Sequence, residues 1–101
     1  MGSYKVALLP VAESDLDNIL NYILIDDAKA AERVLNRITD ALRHLETSSY
    51  AGLKVVEESL VHLDLRMIVS DPYIVFYRII DNTVYIFRVL HEARDYLQIL
   101  R

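Results

Sequence analysis

The chain has 101 residues, 53% of them hydrophobic, with no cysteine and a formal net charge of −4. Its length suits one domain around a single core, so we expect one domain over residues 1–101. The lack of any apolar run of about 18 residues excludes a membrane-spanning helix, the missing cysteines exclude a disulfide framework and thiolate chemistry, and a pI near 5.2 argues against affinity built on neutralising many phosphates.

The N-terminus shows no basic stretch followed by an apolar one, so it carries no signal-peptide pattern. Gly2 is a poor myristoylation site, because Val6 stands where Ser or Thr is required. The default location is cytoplasmic. Residues 4–9 read as a first strand ended by Pro10, which also suits the first turn of a following helix. Ala12, Leu16, Ile19, Leu20 and Ile23 then recur at helical spacing, with Glu13, Asp15 and Asp17 on the other face. This predicts a helix over 11–25.

Asp26-Asp27 breaks that pattern, and Asp27 is a natural N-cap. A second helix is predicted over 28–47, with the stripe Ala31, Leu35, Ile38, Leu42, Leu45. So short a connection makes an antiparallel αα-hairpin. Lys29, Arg33 and Arg37 form a basic row interleaved with Glu32 and Asp40, the pattern of a solvated face.

After a loop at 47–52, residues 54–58 read as a short edge strand. Val61, Leu63, Leu65, Met67 and Val69 alternate with polar residues, a half-buried strand. Asp71-Pro72 turns the chain, 73–80 form the next strand, and Asp81-Asn82 suits a two-residue type I′ hairpin leading into 83–90. Counting back from the turn pairs Ile80 with Thr83, Phe76 with Phe87, Val75 with Arg88 and Tyr73 with Leu90. Ala93, Tyr96, Leu97 and Leu100 indicate a short C-terminal helix or arm.

The fold class is therefore α+β: an N-terminal strand, an antiparallel αα-hairpin, an antiparallel meander of three to four strands, and a short C-terminal helix or arm. Both faces of the hairpin at 73–90 are largely apolar, and the helices can cover only one. The other is expected to face a partner, with a homodimer through the same surface as the alternative. With no second histidine near His91, the pattern holds no metal site and implies no cofactor.

Three segments resemble the RelE/ParE superfamily of bacterial toxins from toxin–antitoxin pairs. They are Pro10-x-Ala12-x-x-Asp15-Leu16-x-x-Ile19-x-x-Tyr22-Ile23, then Leu65-Arg66-Met67 with Tyr73-Ile74-Val75-Phe76-Tyr77, then Arg88-Val89-Leu90-His91-x-x-Arg94-Asp95. The ParE branch is the more similar. The resemblance implies the toxin of a type II, plasmid-stabilising pair, bound by a cognate antitoxin. Its targets would be DNA gyrase in the ParE manner or the ribosome and its mRNA in the RelE manner, with a detoxified relative that still binds its antitoxin as the remaining alternative. In the nuclease case His91, Arg94 and Tyr96 would be catalytic. Where the RelE-like toxins carry a central-strand arginine, this chain has Ile74, which favours a toxin that binds rather than cuts. The residues expected to contact the target are Arg66, Arg88, His91, Arg94 and Tyr96. For Arg88, stacking on Tyr73 or Tyr77 is a structural alternative. For His91, the alternative is a backbone hydrogen bond that caps the last strand.

Overall fold

The computed structural model describes residues 3–101; Met1 and Gly2, and with them the reading of Gly2 as a poor acylation site, lie outside the described residues. The elements are β1 (Lys5–Leu8), α1 (Pro10–Leu24), α2 (Ala28–His44), β2 (Leu53–Lys54), β3 (Arg66–Ser70), β4 (Tyr73–Ile80), β5 (Thr83–His91) and α3 (Tyr96–Leu100). This is the expected α+β order. Local chemistry sets the helix starts. Pro10 occupies the first turn of α1, where its missing N–H costs nothing. The Asp27 carboxylate accepts the Ala30 N–H at 3.0 Å and caps α2.

The five strands form one sheet in the order β1-β5-β4-β3-β2. β1 lies parallel to β5, with Lys5 opposite Thr83 and Leu8 opposite Ile86, and the remaining pairs are antiparallel. The meander thus gains the N-terminal strand as a parallel edge. No helix among the described residues is long and apolar enough to cross a membrane.

Three expectations are corrected. The strand predicted to start at Val61 begins at Arg66, because Val61–Leu63 form a 3-10 turn and Asp64 takes a left-handed backbone with φ 53°. A helical turn and a left-handed residue cannot continue a pleated strand. The edge strand predicted at 54–58 is a two-residue pairing at Leu53–Lys54. In the hairpin turn only Asp81 has positive φ, at 54°, whereas a type I′ turn needs it at both central residues.

The hairpin register follows the count from the turn for four pairs, Ile80 with Thr83 to Tyr77 with Ile86. It then shifts, so that Phe76 faces Arg88 and Tyr73 faces His91. Phe87 is the extra residue of a β-bulge. Consequently Ile86 and Val89, three apart, both join the helix-facing core, while Phe87 and Leu90 join the opposite one. Strict alternation would not allow this.

The core lies on both sides of the sheet. On the helix side Ala12, Ile38 and Leu45 pack on Tyr73, Val75, Tyr77, Val84, Ile86 and Val89. On the outer side Phe76 and Leu90 are covered by Leu60, Leu65, Val55 and Leu100. The outer face expected to await a partner is therefore partly closed by the chain's own 55–65 loop and C-terminal helix. The physical reason is ordinary burial of apolar area, roughly 25 cal/mol per Å².

Candidate functional site

Arg88 sits at the bulge and turns toward α1. Its Nε and Nη2 donate to the Asp15 carboxylate at 2.7 and 2.8 Å, and the Val89 N–H donates to the same carboxylate at 3.0 Å. The two side chains are only 21% and 11% exposed. Hydrogen bonding to Asp15 raises the Arg88 pKa further above its ordinary value, against the opposing effect of burial. Asp15, assigned from periodicity to the solvent face, instead faces the sheet. Arg88 does not stack on a tyrosine, and its guanidinium is committed to holding α1 on β5.

Arg66 is similarly engaged. Its guanidinium donates to the Gly52 carbonyl at 2.9 Å and lies 5.0 Å from the centre of the Tyr50 ring, a cation–π distance. Behind it, the buried Tyr77 hydroxyl donates to the Ser49 carbonyl and accepts the Gly52 N–H, both at 2.8 Å. These contacts tie the 49–54 loop to the sheet.

His91 and Arg94 come together. With Asn18, Ile19, Tyr22, Ile23 and Tyr73 they line a groove of about 380 Å³ between α1 and the end of β5. The His91 ring meets Tyr73 edge-on at 5.5 Å, and its Nδ1 accepts the Ala93 N–H at 3.0 Å. With Nδ1 accepting, Nε2 is the ring nitrogen that carries a proton. Burial raises the Tyr73 pKa, offset in part by the charge of Arg37, so the phenol stays protonated. The walls are largely apolar, Arg94 brings a cation to the rim, and no carboxylate among the described residues lines the groove. Tyr22, 78% exposed, stands at its edge.

Tyr96 is elsewhere. Its ring packs on Phe76 at 5.2 Å, on the outer side of the sheet. His91 and Tyr96 thus lie on opposite faces. Ile74, the position expected to decide the chemistry, also faces outward, packed against the outer core. Among the described residues no three His, Asp or Glu side chains gather as metal ligands.

Three contributors were missed. Asp15 carried a readable signal, since it lies three residues from Ala12 and four from Ile19 on the inward stripe. Tyr77 and Gly52 carried none, because a tyrosine among strand residues does not announce its hydroxyl's partner.

A mixed sheet with a helical pair on one face matches the fold of solved toxin–antitoxin structures. The chain belongs to the ParE toxin family: the model described as ParE toxin of type II toxin–antitoxin system, parDE, matches residues 6–96. Among solved structures, the chromosomal ParDE toxin–antitoxin system from P. aeruginosa is similar at a TM-score of 0.69 and 16% identity, covering 88% of this chain and 96% of that one. The toxin–antitoxin complex RelBE2 from Mycobacterium tuberculosis gives a TM-score of 0.62 at 24% identity, covering 93% and 97%. A search of the curated proteins finds no match to the chain.

Proposed function

We propose that this ParE-family toxin acts in the cytoplasm by binding DNA gyrase, is neutralised by a cognate antitoxin, and serves to stabilise the replicon that carries the pair. The observation that carries this reading is the split of the expected nuclease trio. Metal-independent RNA cleavage needs an acid, a base and a charge stabiliser within reach of one phosphodiester. Here His91 and Arg94 share a groove on the helix side, and Tyr96 is packed on the outer side. The aliphatic Ile74 and the net charge of −4 agree with binding rather than catalysis on RNA.

The groove suits that role. Its apolar walls and its Arg94–His91 rim can hold a protein segment that ends in an acceptor. Purified toxin added to gyrase should block supercoiling and accumulate cleavage complexes. His91→Ala with Arg94→Ala should weaken this inhibition about tenfold or more, the loss of one to two charged or polar contacts. Undisturbed supercoiling, together with cuts in translated mRNA by primer extension, would replace the gyrase reading with the ribosomal one.

A further inference from the structure

The outer face of the sheet is closed only over half its length. Ile74, Phe76, Phe87 and Leu90 lie in the outer core. Toward the β4–β5 turn two cross-strand rows continue on the same face: Ala7–Tyr85–Arg78 and Lys5–Thr83–Ile80. Their apolar members Ala7, Tyr85 and Ile80 belong to neither packed cluster. Ile80 is 44% exposed and Lys5 is exposed. This strip, half apolar and half polar, is the part of the outer face beyond the packed outer cluster.

At its centre is Arg78. Its Nε is buried and has no hydrogen-bond partner, alone among the buried side-chain nitrogens and oxygens of the described residues. Neither Arg78 nor Lys5 forms an ion pair among the described residues. The other two strand arginines are satisfied, Arg88 by Asp15 and Arg66 by the Gly52 carbonyl. A buried donor without a partner is a standing demand for an acceptor.

We infer that the strip centred on Arg78 and Tyr85 is a docking surface for the antitoxin, with an Asp or Glu side chain of the antitoxin as the acceptor for Arg78. This rests on the toxin–antitoxin reading and is independent of the target. Arginine and tyrosine directly opposite each other, flanked by isoleucine and threonine, are the residue types that anchor protein–protein contacts. The chain itself shows how a strand arginine takes a carboxylate, since Arg88 grips Asp15 side-on through Nε and Nη2. Arg78 carries the same Nε edge, buried and unpartnered in the free chain, and the docking we infer has that guanidinium turn outward to meet the carboxylate. Two cations, Arg78 and Lys5, favour an acidic segment, while an acidic protein with so small a basic patch is a poor match for a polyphosphate strand.

The test is calorimetric titration of the full-length toxin with the purified cognate antitoxin, using Arg78→Met and Arg78→Lys. Arg78→Met should lower the affinity about tenfold or more. Arg78→Lys should recover little, because an ammonium lacks the planar fork. The thermal midpoint of the free Arg78→Met toxin should be unchanged or raised, since an unpaired buried donor has gone. Wild-type affinity in Arg78→Met would overturn the inference. So would a lowered midpoint, which would make Arg78 a structural residue. Unchanged antitoxin affinity with lost retention of a single-stranded RNA oligomer would assign the strip to nucleic acid instead. Failure of the wild-type toxin to bind antitoxin would overturn both this inference and the reading beneath it.

Discussion

A single phenol shows how much of this fold hangs on buried polar satisfaction. Tyr77 is fully buried and bridges the Ser49 carbonyl and the Gly52 N–H. A side chain at position 52 would collide with that hydroxyl and lie 2.9 Å from the Met67 carbonyl, so glycine is required by the close approach. Tyr77→Phe should cost about 1–3 kcal/mol, because it strands a buried N–H and a buried carbonyl. Burial raises the Tyr77 pKa above 10.0, with the Gly52 N–H and the charge of Arg66 pulling the other way. The sign follows from linkage. A phenol whose folded pKa is raised contributes stability that is whole below the unfolded value and is lost as pH rises through the folded one. Denaturant midpoints should therefore fall above pH 10, and fall less in Tyr77→Phe.

Between elements, the bulge at Phe87 decides how α1 meets β5. It turns Arg88 onto the helix side and sets the Val89 N–H beside it, so one carboxylate on α1 collects three donors. Asp15→Ala leaves the Arg88 guanidinium part-buried and unpaired, which should cost about 3 kcal/mol in urea unfolding. The Asp15→Ala, Arg88→Ala double mutant should be less destabilised than the sum of the singles, with a coupling of about 1–3 kcal/mol. Most of the elements were legible. The switch from alternation to helical spacing at Pro10, the Asp27 cap and the turn at Asp81-Asn82 are local signals, and they place both helices and the last hairpin. The bulge was not legible. Phe87 is an ordinary strand residue without a glycine's signature, so counting from the turn failed beyond Tyr77 and misplaced Arg88.

For the whole molecule, the decisive fact is that the sheet is covered by helices on one side and over part of its length on the other. A short chain did so by using a loop and one turn of helix as a second layer. Leu100, 5% exposed, closes that layer over Phe76 and Leu90. Leu100→Ala should cost about 2–4 kcal/mol and raise binding of an apolar dye. What a sequence pattern could not reveal is which loop returns to cover which face, because that depends on long-range packing. For the same reason Arg94 and His91 were found together but Tyr96 was not with them, and Arg78 was passed over. At this scale the gyrase reading we propose makes the groove the surface for the target, and loss of gyrase inhibition in the His91→Ala, Arg94→Ala toxin is the outcome expected of that reading.

The parallel pairing of β1 with β5 has a consequence in time. Lys5 pairs with Thr83, residues 78 apart in the chain, and such distant contacts form late. While the chain is being synthesised, the first strand and both helices have no sheet to pack on. At roughly 5–20 residues per second, that wait lasts about 4–16 s. The groove beside β5 does not exist during this interval, so on the reading that the groove takes the target, the nascent chain cannot engage it until its last third has emerged. On that reading an antitoxin already present in the cell meets the toxin at the moment its groove first forms.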